Sequence, residues 1–347
     1  MAAPSGIPLI DFHTHVDPRY PDVFLSRFDE AGIAVAVNMS GGSPGAINFS
    51  VRAQKDTGGR LLFFCVIPWG YSAAPDFVPA VVEFLGACGR AGGLGVKISK
   101  GLGLGAIDPS TGGLLAVDDP RLDPIFEESG RLGMPVIIHT GDPKAFFEPC
   151  DETNERWEEL QANPDWCFAD RGRFPSWEDL FAAFVRRVAR HPNTIFVGAH
   201  FGNAPEEPAR VARVMRDHPN LWIDTAARIP EIGRRPPEEV RAVFLEFADR
   251  ILFGTDYGIG PDSLMLGSGS PYVKPTQADV DLFWRGTWRY LETADADIPS
   301  PTPIQGRWTL RGINLPCEVL EKIYYRNAER LLGIRLEGAG AIAVRPP

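Results

Sequence analysis

The stretch Pro8-Leu-Ile-Asp-Phe-His-Thr-His15 places an apolar run directly before two histidines that are separated by one residue. The run Pro8–Phe12 has the nearly continuous apolar character of a strand that is buried on both faces, as strands of parallel sheets are. Side chains alternate along a strand, so those of His13 and His15 point to the same side. The stretch therefore predicts a buried parallel strand whose carboxyl end carries a pair of imidazoles.

The same succession of a short apolar run and an amphipathic segment repeats along the chain of 347 residues. Seven further strand candidates follow the first: Ile33–Met39, Leu61–Ile67, Leu94–Ile98, Pro135–His139, Thr194–Ala199, Leu221–Asp224 and Ile251–Gly254. Helical patterns alternate with them, among them Asp119–Gly133, Trp177–Arg190, Glu206–His218 and Pro237–Asp249. Eight such repeats are the number that closes a parallel sheet into a (β/α)8 TIM barrel. The alternative is a doubly wound open sheet, but no Gly-x-Gly-x-x-Gly motif opens a helix after a strand.

Two long stretches interrupt this alternation, and both follow the carboxyl ends of strands, where barrel enzymes carry their active sites. Residues 142–176 come after the fifth strand and contain many aromatic side chains, and residues 257–315 come after the eighth and are rich in Gly, Pro and Ser. Such long loops are typical of lids or binding elements. We expect one α/β barrel domain over residues 1–347, with these two insertions, a closing helix at Pro316–Gly333 and a weakly ordered tail at 334–347.

Composition argues against several classes of function. The net charge is −10, and no clustered block of Lys or Arg offers a nucleic-acid surface. No apolar run approaches the roughly 18 residues of a membrane span, and the N-terminus lacks the charged start and long apolar run of a secretory signal. The five cysteines are odd in number and lack the spacing of metal sites, which predicts reduced thiols in a cytoplasmic protein.

Polar side chains with metal-binding chemistry stand at the ends of four strand candidates. They are His13, His15, His139, His200 and Asp256. Because the strand ends of a closed barrel converge on its axis, we expect these side chains to meet. Three or four imidazoles and a carboxylate around an open position are typical of a catalytic divalent-metal site. The two other histidines, His191 and His218, each precede Pro at the end of a helical pattern, as solvated capping residues do.

Four motifs carry a resemblance to a known family: Asp11-Phe-His-Thr-His15, Pro135-Val-Ile-Ile-His139-Thr-Gly141, Ile195-Phe-Val-Gly-Ala-His200 and Ile251-Leu-Phe-Gly-Thr-Asp256. Together with Gly95-Val-Lys-Ile98 and the closing segment Asn327–Gly333, they resemble the amidohydrolase superfamily. They are most similar to its amidohydrolase-related branch, which contains non-oxidative decarboxylases, hydratases and hydrolases. The resemblance spans residues 8 to 333. It implies one Zn or Mn ion held by His13, His15, His139 and Asp256, with His200 as the acid/base beside the metal.

General chemistry supports the same division of roles. A bound divalent ion lowers the pKa of its water to about 7 and so supplies a nucleophile at neutral pH. Asp256 is suited to orient or deprotonate that water. His200 is suited to donate a proton to a leaving atom or to a carbanion.

The number of metal ions depends on Lys97, which lies at the end of the fourth strand candidate. In the binuclear branches of the superfamily that the chain resembles, a carboxylated Lys on this strand bridges two ions, and His200 would then be a ligand as well. All six ligand positions of such a site are filled here. Because the amidohydrolase-related branch carries this Lys without a bridge, we favour one ion over two, with Zn or Mn ahead of Fe.

Four further residues are candidates for substrate binding. Arg228 follows the seventh strand, where its planar guanidinium suits a carboxylate, and an ion pair with a neighbouring loop is the alternative. Asp142 and Lys144 open the first insertion near His139, where they either line the pocket or are solvated loop residues. Tyr257 follows Asp256 and either faces the substrate or packs below the metal. If the aromatic residues of the insertion line the pocket, the substrate has an apolar body.

These observations predict a metal-dependent hydrolase or non-oxidative decarboxylase that acts on a small organic substrate, carboxylated and partly apolar. The ligand set does not separate the two reactions, because one fold and one set of ligands host many chemistries. One alternative is an iron-dependent oxygenase on the same ligands, since His and carboxylate also bind Fe(II). Another is a catalytically inactive binding protein, although no ligand is missing. The resemblance also suggests a homodimer.

Overall fold

The fold is built around a sheet of parallel strands that alternate with helices. The computed structural model describes residues 2–141, 143–337 and 341–344. The barrel strands are β1 (Leu9–Val16), β2 (Ile33–Gly42), β3 (Leu61–Val66), β4 (Val96–Ile98), β5 (Val136–Ile138), β6 (Phe196–Gly198), β7 (Leu221–Asp224) and β8 (Ile251–Leu252). Each strand pairs in parallel with the next along the chain. All of them overlap the strand ranges that the sequence predicts.

The sheet closes on itself between its first and last strands. After β8 the chain continues into β9 (Tyr257–Ile259), which pairs in parallel with β1. The backbone N–H of Phe12 donates to the carbonyl of Phe253 (2.9 Å), and the N–H of Asp256 donates to the carbonyl of His13 (2.8 Å). The predicted (β/α)8 TIM barrel is therefore confirmed.

Helices cover the outside of the barrel and connect its strands. Their bounds are α1 (Pro21–Ala31), α2 (Ile47–Asp56), α3 (Phe77–Arg90), α4 (Gly101–Leu104), α5 (Asp123–Arg131), α6 (Trp157–Ala162), α7 (Trp177–Arg190), α8 (Ala199–Gly202), α9 (Pro208–Asp217), α10 (Ile229–Gly233), α11 (Pro237–Glu246), α12 (Gln277–Glu292), α13 (Cys317–Glu321) and α14 (Asn327–Leu332). Helix α7 has the predicted bounds because Ser176 and Asp179 form a capping box. The Ser176 hydroxyl accepts from the Asp179 N–H (3.1 Å), and the Asp179 carboxylate accepts from the Ser176 N–H (3.3 Å).

The last helical segment anchors the end of the chain to β8. Helices α13 and α14 are joined by a π-helical turn, Lys322–Arg326, in which the Ile323 carbonyl accepts the backbone N–H of Phe253 (3.0 Å). The buried amide of Asn327 donates to the carbonyls of Ala248 and Ile251, both at 2.7 Å. The segment is thus bonded to the chain on both sides of the short strand β8.

The two insertions are connected to each other. The first contains α6 and the second contains β10 (Leu264–Leu266), α12, β11 (Ile298–Pro299) and β12 (Thr309–Leu310). The amide of Asn163 donates to the carbonyl of Gly269 (3.0 Å), and the hydroxyl of Ser268 donates to the carboxylate of Glu159. The fully buried Arg156 forms ion pairs of 3.1 Å with Glu159 and Glu231. The insertions therefore form one structural unit above the barrel rather than two independent loops.

Part of the predicted tail is described and forms a hairpin, while its weak ordering stays a prediction. Strands β13 (Ile334–Glu337) and β14 (Ala341–Val344) form an antiparallel hairpin, with Ile334 opposite Val344. The backbone N–H of Leu336 donates to the side chain of Glu329 (2.7 Å), which ties the hairpin to α14. The rest of the predicted tail, residues 338–340 and 345–347, lies outside the described residues.

Two findings bear on the environment of the chain. Among the described residues, none of the helices has the length and the apolar character that crossing a bilayer requires. The prediction of reduced thiols is wrong, because Cys65 pairs with Cys88 and Cys150 with Cys167 in disulfides, while Cys317 is exposed and free. The tertiary structure brings each pair to Cα separations of 6.2 and 6.1 Å, which sequence spacing does not reveal. The cytoplasmic location stays a prediction, without the support of the thiols.

The variant Asn327→Ala tests the anchoring of the last helix. It removes the side-chain amide that donates hydrogen bonds to two buried carbonyls. We therefore expect the free energy of unfolding to fall by on the order of 2–3 kcal/mol in urea titrations. The exposed Asn193→Ala is the control, with an expected change within about 0.5 kcal/mol. Equal stability of the two variants would contradict the anchoring role.

Candidate metal centre

The candidate site lies at the carboxyl ends of the barrel strands. His13 and His15 are on β1, Lys97 is on β4, and Asp224 ends β7. His139 follows β5 directly, His200 follows β6 within α8, and Asp256 lies between β8 and β9. The strands that carry these residues are neighbours in one closed sheet. Their carboxyl ends therefore bring the side chains together, as the sequence predicts.

Three side chains form a compact group of potential metal ligands. Ligand atoms of His13, His15 and Asp256 all lie within 4.8 Å of one another. The Asp256 Oδ1 is 3.1 Å from the Nε2 of His15 and 3.5 Å from the Nε2 of His13. Two imidazole nitrogens and a carboxylate oxygen are ligands that suit Zn or Mn. The arrangement therefore fits a divalent ion, as the alternation along β1 predicts.

The other ring nitrogen of each histidine is held by a partner. His13 Nδ1 is 2.7 Å from Asp224 Oδ2, and His15 Nδ1 is 2.5 Å from the hydroxyl of Ser40 on β2. Such partners fix the orientation and the tautomer of metal-binding imidazoles and leave Nε2 for the ion. The sequence analysis missed both residues. Asp224 could have been identified from the sequence, because it stands at the end of a predicted strand, as the other candidates do.

The pKa values of the Asp224 and Asp256 carboxylates are shifted in opposite directions. Burial raises the pKa of Asp224 to about 6, although the charges of His200 and Lys97 and hydrogen bonds from backbone N–H groups oppose this rise. For Asp256, burial also acts to raise the pKa, but the hydrogen bond to His15 and the charges of His13, His15 and His200 prevail and hold it well below its usual value. Asp256 is therefore ionised at neutral pH and available as a ligand or base.

His200 is held in a strained backbone conformation. Its φ of 56° lies in the left-handed region, as does that of the next residue, Phe201 (58°), and non-glycine residues in this region are often functional. The His200 N–H donates to Asp224 Oδ1 (2.7 Å), and its Nδ1 lies 2.9 Å from the Ala226 carbonyl. Because a carbonyl only accepts, Nδ1 carries a hydrogen. Nε2 is thus the atom that can exchange a proton.

His139 lies beside the group of three ligands rather than within it. Its Nδ1 is 3.1 Å from His200 Nε2, and the two rings are 4.0 Å apart. The ring of His200 is in turn 5.1 Å from that of His13. The roles of His139 as a fourth ligand and of His200 as acid/base or ligand remain predictions.

Lys97 is buried next to the candidate ligands. Its Nζ lies 3.0 Å from His13 Nε2, the nitrogen that faces the metal position. An ammonium group at this place adds positive charge to the site. The predicted alternative of a bridging, carboxylated Lys97 remains a prediction.

The four predicted substrate-binding residues are dispersed. Arg228 is buried and donates to the carbonyl of Ala227 (3.0 Å). Lys144 pairs with Glu207 and lies 4.2 Å from the centre of the Trp177 ring, so it belongs to the surface of the first insertion. Asp142 lies outside the described residues.

Tyr257 points into the core. It is fully buried, stacks on Phe283 and meets Trp284 edge to face, with ring distances of 6.3 and 5.8 Å. These contacts favour the predicted alternative, packing below the site, over contact with the substrate, and the role of Tyr257 stays a prediction. The pleat of β9 turns this side chain towards α12.

A cleft of about 760 Å³ opens next to His15. Ser40, Trp166 and Met265 contribute to its walls, so β2 and both insertions border it. Trp166 in turn packs near Lys100, whose Nζ is 5.0 to 6.0 Å from the ring centres of Phe146, Trp166 and Phe168. The aromatic insertion therefore contributes to the cleft, and three of its rings surround the ammonium group of Lys100.

Comparison with known proteins places these features in a family. The sequence profile described as amidohydrolase matches residues 10–334, whereas comparison with curated protein sequences finds no match. Among solved structures, 4-oxalomesaconate hydratase from Rhodopseudomonas palustris is 14% identical, with a TM-score of 0.53 over 94% of this chain and 95% of that one. A 2,6-dihydroxybenzoate decarboxylase from Rhizobium is 17% identical, with a TM-score of 0.53 over 94% and 99%. A dihydroxybenzoic acid decarboxylase from a Polaromonas species, with bound manganese and the inhibitor 2-nitroresorcinol, is 14% identical, with a TM-score of 0.55 over 94% and 97%. At these identities the likeness shows a shared fold.

The variant His15→Ala tests the ligand group. Removing one of three ligands should abolish stoichiometric metal binding, measured as metal per chain by plasma mass spectrometry after loading with manganese or zinc. His218→Ala, at the end of α9, is the matched control and should retain the wild-type metal content. Metal retention by His15→Ala would place the ion elsewhere.

The variant Asp224→Asn tests the support of His13. An amide replaces one accepting oxygen by a donor, so His13 loses its fixed tautomer, and we expect metal affinity to fall about 10- to 100-fold in competition with a chelator. The exposed Asp217→Asn is the control. An affinity unchanged from wild type would show that Asp224 supports only the fold.

Proposed function

Because the chain belongs to the amidohydrolase family, whose profile matches residues 10–334, we propose that it acts as a metal-dependent enzyme on a small, carboxylated and partly apolar organic substrate. Non-oxidative decarboxylation is our first assignment and hydrolysis the second. The observation that carries the proposal is the group of ligand atoms from His13, His15 and Asp256, which lie within 4.8 Å of one another. His15 also lines the cleft, so a substrate in the cleft would lie beside the ion.

The proposed cofactor is one divalent ion, manganese or zinc. His13, His15 and Asp256 would hold it, with His139 as the predicted fourth ligand. The manganese in the Polaromonas decarboxylase of the same fold supports this choice. When bound, such an ion acts as a Lewis acid that polarises a carboxylate or carbonyl oxygen or activates water. Lys97, whose Nζ lies 3.0 Å from His13 Nε2, stands beside the proposed ion, and in this proposal it does not bridge to a second one.

His200 is the proposed proton donor. Its Nδ1 is committed to the carbonyl of Ala226 at 2.9 Å, which leaves Nε2 to exchange protons beside His139. In a decarboxylation, the bond between the substrate carbon and its carboxylate breaks, carbon dioxide leaves, and the electron pair stays on the carbon. His200, protonated on both ring nitrogens before this step, then delivers its Nε2 proton to that carbon and is left as the neutral Nδ1–H imidazole.

The ionised Asp256 has a role in either reaction. In hydrolysis its carboxylate is placed to accept the proton of the attacking water, which makes it the general base. In decarboxylation its negative charge stabilises the protonated form of His200 and the binding of the ion by His13 and His15. The left-handed backbone of Asp256, with φ of 61°, fixes the carboxylate at the turn between β8 and β9.

Decarboxylation takes precedence because of the charges around the site. A metal ion and the buried Lys97 ammonium together favour an anionic substrate, such as a carboxylate. Decarboxylases that act on dihydroxybenzoates share this fold, whereas the description of the family itself supports hydrolysis. Neither the iron-dependent oxygenase nor the inactive binding protein gains support from these relatives. The homodimer stays a prediction.

The variant His200→Gln tests the proton donor. We expect kcat to fall by about 10²- to 10⁴-fold, because Gln has no proton to transfer at neutral pH, while metal content stays at the wild-type level. His218→Gln is the control with both quantities unchanged. Loss of metal together with activity would instead identify His200 as a ligand.

The reaction itself is assigned with two panels of compounds on the manganese-loaded enzyme. Release of labelled carbon dioxide from carboxyl-labelled hydroxybenzoates supports decarboxylation. Incorporation of ¹⁸O from water into a new carboxylate from amides, esters or lactones supports hydrolysis. Absence of both, in a protein that binds stoichiometric metal, would contradict the proposed function.

A further inference from the structure

A charged turn that contains Asp17 and Arg19 follows directly after β1 and borders the cleft. Asp17 accepts three hydrogen bonds from Arg19: from the backbone N–H (3.1 Å), from Nε (2.9 Å) and from Nη2 (2.6 Å). The backbone N–H of Asp17 donates to the carbonyl of Ile259 on β9 (2.9 Å). The guanidinium of Arg19 is therefore held beside β1, which carries His13 and His15, and beside β9, which follows Asp256.

Arg19 remains accessible to a ligand despite its ion pair. Its side chain is 56% exposed, and it lines the cleft together with His15. The contacts with Asp17 use Nε and Nη2, which form one edge of the guanidinium. A guanidinium has five N–H donors, so the hydrogens of Nη1 and the second hydrogen of Nη2 can serve an anion on the other edge.

The rest of the cleft wall is mainly apolar. Phe49, Trp166, Leu264 and Met265 contribute large side chains to it. Among the described residues that line the cleft, the charged or ionisable side chains are His15, Asp17 and Arg19. An apolar body in the cleft would thus have two places for polar groups, the metal position beside His15 and the guanidinium of Arg19.

The charge of the whole chain makes a local cation important. A formal net charge of −10 disfavours the approach of anions at long range. An anionic substrate group therefore needs a fixed donor within the cleft. The cleft volume of about 760 Å³ lies within the range of small-molecule sites and leaves room for a substrate with two polar groups.

We infer that Arg19 determines specificity by binding a second acidic group of the substrate, separate from the group that meets the metal. The substrate class is then an apolar, ring-containing body that bears two carboxylates. This inference rests on the proposed function, because it assumes that the first group lies at the metal centre.

Binding to the manganese-loaded full-length protein tests the inference without requiring turnover. Calorimetry compares benzoate with benzene-1,3-dicarboxylate and biphenyl-4,4′-dicarboxylate, which separate two carboxylates by a short and a long distance. We expect at least one dicarboxylate to bind the wild type on the order of tenfold more tightly than benzoate, the gain of one charge-assisted contact. Arg19→Gln should reduce this ratio to about one, and Arg19→Lys should restore it in part, because Lys keeps the charge but lacks the fork.

Arg27→Gln is the matched control, since Arg27 lies on the neighbouring α1 and pairs with Glu30 outside the cleft. It should keep the wild-type preference. The inference is overturned if neither dicarboxylate binds more tightly than benzoate, or if Arg19→Gln keeps the preference. Metal content is measured on the same samples. A protein that prefers the dicarboxylate through Arg19 but shows neither reaction would refute the proposed function and retain the role of Arg19.

Discussion

The closure of the barrel between β1 and β8 is the constraint on which the site depends, and the buried carboxylate of Asp11 lies at its centre. One oxygen accepts from the hydroxyl of Thr255 (2.5 Å), and the other accepts from the backbone N–H groups of Thr255 (3.1 Å) and His13 (3.2 Å). Burial raises the pKa of Asp11 to about 7 in spite of these bonds. An unsatisfied carboxylate at this depth would be costly, so the two strands are held in the register that brings His13 and His15 next to Asp256.

Asp224 connects the remaining parts of the site. Its two oxygens bond to the ring of His13 and to the backbone of His200, so one buried side chain on β7 orients groups from β1 and β6. Such shared support couples the proposed metal ligand to the proposed proton donor. It also explains how a left-handed backbone at His200 is tolerated, because the strained N–H is paired with a carboxylate.

The insertions determine what reaches this centre. The disulfide between Cys150 and Cys167 closes the segment that carries Trp166 into the cleft wall, and Asn163 joins that segment to the second insertion. The barrel thus supplies the candidate metal ligands and the proposed proton donor, while the insertions supply most of the apolar wall. This separation is common in barrel enzymes, in which chemistry resides on strand ends and selectivity on loops.

The sequence by itself determined the barrel, the strand order and the positions of His13, His15, His139, His200 and Asp256, because apolar periodicity and strand-end placement are local properties of the chain. Only the tertiary structure decided which of these side chains form one group, and that Asp224, Ser40 and Arg19 accompany them. These contacts join residues from different strands, and they depend on register and on the turn of each backbone. The same reason explains why the sequence did not predict the pairing of four cysteines and left the orientation of Tyr257 open: both are set by packing between distant segments, which no local pattern records.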